Sequence, residues 1–264
     1  MVKFCPLFSS SKGNSMYLGT DKGGILIDAG KSCKQIELAL SRIGVSPDSI
    51  EAIFVTHEHT DHVAGLRVFA GRYHTKVYAT NGTLCALDDS GILTEKFDAF
   101  CHDGASVSVG AFCVQPFATS HDAAESCGYC VEAKDGSRVA IATDLGYVSD
   151  TVLDAISGAE TVLLESNHDV RMLENNPQYP YSLKRRILGD TGHLSNEVCA
   201  KTVQSLLNSG TKRFFLGHLS EQNNMPSLAY GATEAALTAL GATVQEDCTL
   251  CVAKPVWDKE AFSL

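Results

Sequence analysis

The sequence predicts an α/β fold, which some classification schemes call α+β. Short apolar runs of strand-like composition alternate with segments of helical periodicity over most of the chain. Residues 106–144 depart from this alternation, because they have the pattern of consecutive hairpins. No linker or low-complexity tract divides the chain, so we predict a single domain over residues 1–264.

The first part of the chain contains three strand candidates separated by two helix candidates. Each strand candidate is short and continuously apolar, which is typical of a buried strand, whereas the helices repeat apolar residues at a spacing near 3.6. In chain order they are strand 24–28, helix 34–43, strand 52–56, a helix through Leu66 and Phe69, and strand 76–79.

After the hairpins, which include a turn signal at Lys134-Asp135-Gly136, the alternation resumes. We therefore expect two similar α/β halves that meet near residue 145. Residues 167–194 form the longest irregular stretch. The elements predicted here are helix 148–157, strand 161–165, a helix from the N-cap Ser195 to about residue 207, strand 213–216, helix 226–240 and strand 248–252.

Composition excludes several classes of protein. A hydrophobic fraction of 44% over 264 residues excludes intrinsic disorder, and no apolar run approaches the ~20 residues that a membrane span needs. The start, Met1–Pro6, lacks the features of a secretory signal, so we expect a cytoplasmic protein. The net charge of −10 disfavours nonspecific affinity for nucleic acid, although a local basic patch could still bind it.

The strongest functional signal is the segment Thr56–His62, directly after a strand candidate. It contains four potential metal ligands, His57, His59, Asp61 and His62. Imidazole and carboxylate groups suit zinc, manganese or iron. On a tight loop the first two can converge on one side while the last two reach the other, which favours two ions.

This segment resembles the H-x-H-x-D-H signature of the metallo-β-lactamase-fold superfamily. Further residues at strand ends match that family's pattern in order, namely Asp28, His121, Asp144 and His218. The resemblance implies a four-layer αββα sandwich with the metal site at one edge. It also implies that Asp28 supports a ligand without binding metal itself.

By the same resemblance, one ion would be held by His57, His59 and His121. A second would be held by Asp61, His62 and His218, with Asp144 bridging both. Two divalent ions, with Zn²⁺ as the default and Mn²⁺ or Fe²⁺ as alternatives, would hold a bridging hydroxide that Asp61 helps to orient. A hydrolase is therefore the leading class.

Two further segments suggest which bond is cut. In Ser9–Ser15, the small residues Ser11 and Asn14 and the charge of Lys12 could bind an anion, although a solvated hairpin turn fits equally well. In Asp190–Asn196, His193 resembles the extra histidine of the RNase Z and PhnP-like phosphodiesterases, which implies a general acid, with Asn196 as a substrate contact. The alternative is that His193 belongs to a helix cap.

The motifs together are most similar to the bacterial YycJ/WalJ-like branch, which implies exonuclease or phosphodiesterase activity on nucleic acid. Residues 178–186 interleave aromatic and basic side chains, so Tyr181, Arg185 and Arg186 could contact such a substrate, or they could form a solvated helix face. His168 could support a ligand or lie in a plain loop. The two C-x-x-C pairs, 127–130 and 248–251, are expected to be buried structural thiols.

The sequence therefore predicts a dinuclear phosphodiesterase or nuclease, such as a 5′-3′ exonuclease on DNA. One alternative is a hydrolase of a small phosphodiester or of a thioester, as in glyoxalase II-like enzymes. Another is a di-iron redox protein, but the sequence shows no appended flavodoxin-like domain to deliver electrons. No membrane association and no protein partner are predicted.

Overall fold

Two seven-stranded sheets form the centre of the computed structural model, which describes residues 1–264. The first sheet consists of β1 (Lys3–Phe8), β2 (Ser15–Gly19), β3 (Gly24–Ile27), β4 (Ile50–Phe54), β5 (Lys76–Ala79), β6 (Ala99–Cys101) and β14 (Phe262–Ser263). The second consists of β7 (Val107–Val109), β8 (Phe112–Ala118), β9 (Cys127–Ala133), β10 (Arg138–Ala142), β11 (Thr161–Glu165), β12 (Arg213–Gly217) and β13 (Thr249–Val252).

Each sheet begins as an antiparallel meander and continues as a parallel sheet. The first has the order β14-β1-β2-β3-β4-β5-β6 and becomes parallel from β3 onward. The second has the order β13-β12-β11-β10-β9-β8-β7 and is parallel from β10 to β13. The inner parallel strands β3, β4 and β11 are almost wholly buried, as expected for strands covered on both faces.

Nine helices connect or follow the strands. They are α1 (Cys33–Arg42), α2 (Thr60–Val63), α3 (Leu66–Tyr73), α4 (Asn81–Asp89), α5 (Asp150–Ile156), α6 (Val170–Asn175), α7 (Tyr181–Ile187), α8 (Asn196–Asn208) and α9 (Pro226–Ala239). The N-cap predicted for α8 is confirmed, because Ser195 Oγ accepts a hydrogen bond from the Val198 amide at 3.3 Å. None of the helices combines the length and apolar character that a bilayer span requires.

Three apolar cores define four layers. A central core joins the two sheets through residues such as Phe54, Tyr129 and Phe215. A second core packs α1, α3 and α4 on the outer face of the first sheet, and a third packs α5, α8 and α9 on the second. The predicted αββα sandwich is therefore confirmed.

The structure differs from two details of the predicted organisation. The chain passes from the first sheet to the second between Cys101 and Val107, not near residue 145, because the hairpin strands β7–β9 start the second sheet just as β1–β3 start the first. Residues 167–194 are also not irregular throughout, since they contain α6 and α7. Helices of six and seven residues are too short to show a clear apolar period.

Both C-x-x-C pairs lie in or beside strands. Cys127, Cys130 and Cys248 are buried and Cys251 is partly buried, and all four are free thiols. No group of side chains that could hold a metal includes a cysteine.

Candidate metal centre and cleft

The candidate metal ligands lie on loops that follow strands at one edge of the sandwich. The segments after β3, β4, β8, β10 and β12 supply Asp28, the His57–His62 segment, His121, Asp144 and His218. Within the second of these segments, Asp61 and His62 belong to the short helix α2. Asp28, Asp144 and His218 adopt left-handed backbone conformations, with φ of 63°, 58° and 54°. Such conformations cost non-glycine residues on the order of 1–3 kcal/mol and occur preferentially at functional sites.

The first expected triad is brought together. One ring nitrogen from each of His57, His59 and His121 lies within 4.8 Å of the others. His121 Nε2 is 3.3 Å from His59 Nδ1, while His121 Nδ1 lies 3.1 Å from the carbonyl oxygen of Gly192. That carbonyl fixes the ring and leaves Nε2 facing the other two histidines.

The second expected triad is also brought together. Asp61 Oδ2 lies 3.4 Å from His218 Nε2 and 3.5 Å from His62 Nε2. Asp144 connects the two triads, because one of its carboxylate oxygens and a ring nitrogen from each of His57 and His62 lie within 4.8 Å of one another. Asn14, expected to contact substrate, is buried here with its amide nitrogen 3.1 Å from His62 Nε2.

The unpaired atoms of this cluster fit divalent ions. His57 Nε2 and Asp144 Oδ2 are buried and make no hydrogen bond, although the latter lies 3.2 Å from His62 Nε2. Buried polar atoms are normally paired, and orphan atoms on neighbouring imidazole and carboxylate groups are donors that a divalent cation would satisfy. Burial lowers the pKa of His57, which keeps its ring neutral and able to donate a lone pair.

The carboxylates make the cluster strongly attractive to cations. Burial alone lowers the pKa of His218 and His62, but Asp144 and the neighbouring acids outweigh it. They raise the pKa of His218 to about 10 and that of His62 well above its ordinary value. The negative charge therefore needs compensation by protons or by metal ions.

Asp28 lies behind the ligand cluster, where it contacts a proposed ligand and the residue before the His57–His62 segment. Its Oδ2 lies 2.7 Å from His62 Nδ1, and its Oδ1 accepts a hydrogen bond from the Thr56 amide at 2.8 Å. The Thr56 hydroxyl also lies 3.0 Å from His57 Nδ1. These contacts orient both rings toward the cluster.

Glu165 is a site residue that the sequence analysis missed. This fully buried carboxylate lies 2.9 Å from His193 Nδ1 and 2.7 Å from His218 Nδ1, and it accepts a hydrogen bond from the Leu194 amide at 2.9 Å. Burial lowers the pKa of His193, but the nearby charge of Glu165 raises it by more, so the net shift of the pKa is upward. The available signal was an acid at the end of an apolar strand.

A cleft of about 180 Å³ opens beside His193. Tyr179, Leu183 and Ile187 form an apolar wall, whereas Arg186 pairs with Asp122 across the cleft. Ser11, Asn167 and Ser220 add polar groups. The cleft therefore offers a space of mixed polarity directly beside His193.

Several expected substrate contacts lie elsewhere. Tyr181 and Arg185 do not line the cleft, and Tyr181 is 76% exposed. They lie four residues apart on α7, whereas Leu183, Arg186 and Ile187 face the cleft. Lys12 is exposed at the rim and pairs with Glu221.

Asn196 is not a surface group that could meet substrate. It is buried, its Oδ1 accepts hydrogen bonds from Ser166 Oγ and Asn224 Nδ2, and its own amide nitrogen donates to Asn224 Oδ1. Asn196 is the first residue of α8, directly after the cap Ser195, and at this position its side chain points into the protein interior. Its role in the structure is to join two loops beneath the cleft.

His168 is buried too, and burial lowers its pKa to about 4. Neither of its ring nitrogens makes a hydrogen bond, so the side chain is not hydrogen-bonded to any proposed metal ligand. Its backbone oxygen accepts from the Asn196 amide at 2.9 Å. The residue thus supports the loop between β11 and α6.

Comparison with known proteins decides the family, because the model of the β-lactamase superfamily domain matches residues 24–219. The chain belongs to the β-lactamase superfamily. It is 38% identical over 259 residues to the exodeoxyribonuclease WalJ of Streptococcus pneumoniae, covering 97% of this chain and 93% of that protein. It is 40% identical over 247 residues to the exodeoxyribonuclease YycJ of Bacillus anthracis, covering 93% and 92%.

Solved structures show the same superfamily fold. The metallo-β-lactamase fold protein YhfI from Bacillus subtilis superposes with a TM-score of 0.73 at 13% identity, over 97% of this chain and 98% of that one. At that identity the likeness concerns the fold. The predicted resemblance to the superfamily, and to its WalJ and YycJ members, is confirmed.

Proposed function

We propose that this superfamily member is a metal-dependent phosphodiesterase that degrades DNA as an exodeoxyribonuclease. The observation that carries the proposal is the placement of the His193–Glu165 pair between the ligand cluster and the cleft. Such a pair supplies a general acid where the leaving group sits. The identity of about 40% to two exodeoxyribonucleases over nearly the whole chain supports DNA as the substrate.

Two divalent ions fit the donor set, with zinc as the first choice and manganese or iron as alternatives. His57, His59 and His121 would hold one, Asp61, His62 and His218 the other, and Asp144 would bridge them. Ions bound there would lower the pKa of a bound water and stabilise negative charge on the phosphate oxygens.

The protein's own groups then have separate tasks. Asp61 orients the attacking water, since its Oδ2 lies between the two histidines of its triad. Glu165 accepts a hydrogen bond from the Nδ1–H of His193, which directs the opposite ring nitrogen toward the cleft. From there His193 gives a proton to the leaving oxygen, and the released nucleotide lies in the cleft.

The direct test uses the purified protein after chelation and after reconstitution with Zn²⁺ or Mn²⁺. The substrates are single-stranded DNA labelled at either end and a thioester. We expect metal-dependent release of mononucleotides, starting from the 5′ end, and no thioester turnover. A reconstituted protein that cleaves the thioester but not DNA contradicts the proposal and favours a glyoxalase II-like hydrolase.

The cleft wall yields a second prediction. Tyr179→Ala should raise KM for DNA by about 5- to 150-fold, because stacking of a base on an aromatic ring contributes roughly 1–3 kcal/mol. Tyr181→Ala is the matched control, since this tyrosine lies two residues away and outside the cleft. Steady-state kinetics on a short oligonucleotide measure both. An equal effect of the two substitutions contradicts the assignment of the cleft.

A further inference from the structure

A second concave surface, away from the cleft, is lined by cations. Arg67 and Arg72 of α3 and Lys96 surround a pocket of about 350 Å³ whose other lining residues are Val68, Gly71 and Thr94. We call this surface the α3 basic pocket. No acidic residue lines it, although the chain as a whole has a net charge of −10. Positive charge is therefore locally concentrated against the overall balance.

Another pocket of similar size shows that such a concentration of positive charge is not common to all concave surfaces of this protein. It measures about 420 Å³ and lies at the turns before β3, β8 and β10, at the edge of the sandwich opposite the metal centre. Lys22 and Lys134 line it together with three acids, Asp21, Glu51 and Asp135. Its charges offset one another, so it offers no net attraction to an anion.

The α3 basic pocket is connected to the metal centre through the start of its helix. Gly65, just before α3, packs so closely on Lys31 that a Cβ there would lie 2.0 Å from the Lys31 oxygen. The Lys31 amine in turn donates to the backbone oxygen of Lys12 at 2.7 Å, in the loop beside the ligand cluster. The helix that carries Arg67 and Arg72 therefore starts next to the loops of the ligand cluster.

Two of the three cations have no acidic partner. Arg72 pairs with Glu37, whereas no ion pair within 4.0 Å involves Arg67 or Lys96. Two unpaired cations on one concave surface without acids can contact more than one phosphate, which suits a chain of backbone phosphates better than one isolated phosphate.

We propose that the α3 basic pocket binds backbone phosphates of the DNA strand several nucleotides from the bond that is cut. The inference rests on the proposed function and extends it, because it makes the enzyme prefer polymers over small diesters. Phosphate contacts of this kind position a strand without reading its sequence.

The test compares three substrates on the metal-loaded protein: a single-stranded 20-mer, a dinucleotide and bis(p-nitrophenyl) phosphate. Arg67→Gln combined with Lys96→Gln removes the two free charges without touching a proposed ligand. We expect kcat/KM on the 20-mer to fall at least fivefold, with unchanged turnover of the two small substrates. The slope of log(kcat/KM) against log[salt] should become shallower by about 1.4, at ~0.7 per lost phosphate contact on a single strand.

Lys22→Gln combined with Lys134→Gln is the matched control, because it removes two lysines from the balanced pocket. It should behave as the wild type does on all three substrates. An unchanged 20-mer rate in the α3 variant, or an equal loss on all substrates, overturns the inference alone. A wild-type protein that turns over bis(p-nitrophenyl) phosphate but not the 20-mer overturns the proposed DNA substrate, and this inference with it.

Discussion

Replacing His193 with alanine should leave the metal content unchanged and lower kcat on DNA by about 10²–10⁴-fold. The histidine lies outside the two proposed ligand triads. It does group with Asp144, Glu165 and His218 as possible ligands, but its Nδ1 faces the Glu165 carboxylate at 2.9 Å. General acid catalysis by a positioned side chain contributes a factor of this size. Metal analysis and single-turnover cleavage of a labelled oligonucleotide, measured on the same preparation, check both halves of the prediction.

The leaving group provides the control for this variant. p-Nitrophenolate departs without being protonated, so turnover of bis(p-nitrophenyl) phosphate should fall much less than cleavage of DNA. Glu165→Gln should also lower DNA cleavage, because it removes the charge beside His193 Nδ1, but the same carboxylate contacts the proposed ligand His218, so metal content is measured on this variant too. Equal losses on both substrates contradict a proton transfer from His193 and indicate a contact with the phosphate instead.

Replacing Asp144 with asparagine should produce the second large effect, the loss of at least one metal ion per chain together with activity on every substrate. The carboxylate is buried, lies between the two triads and has one oxygen without a hydrogen bond. The neutral amide cannot compensate the charge of two divalent ions. Isothermal titration of the metal-free protein with Zn²⁺ gives the stoichiometry and affinity without relying on catalysis.

Asp154→Asn is the matched control for this substitution, because Asp154 is an exposed residue of α5 and belongs to no group that could hold a metal. It should bind as many ions as the wild type. If Asp144→Asn binds two ions with unchanged affinity, Asp144 does not bridge them, and the negative charge of the cluster serves another purpose.

Most of the layer architecture was predictable because it depends on local patterns. Apolar runs of four to six residues and a helical repeat such as that of α1 record burial directly, since each side chain faces a core. The short helices α6 and α7 were not predictable in this way. Their positions depend on loops packed against them, for example through the partly buried hydrogen bond from Asn176 to Asn223.

The sequence by itself determined the class of chemistry, because His57, His59, Asp61 and His62 lie within six residues and their donor types do not depend on the fold. Only the tertiary structure decided which distant groups serve that cluster. It placed Glu165 against His193, turned Asn196 into the interior and set Tyr179 rather than Tyr181 at the cleft. Those outcomes depend on side-chain direction and loop packing between segments far apart in the chain, which no local pattern records.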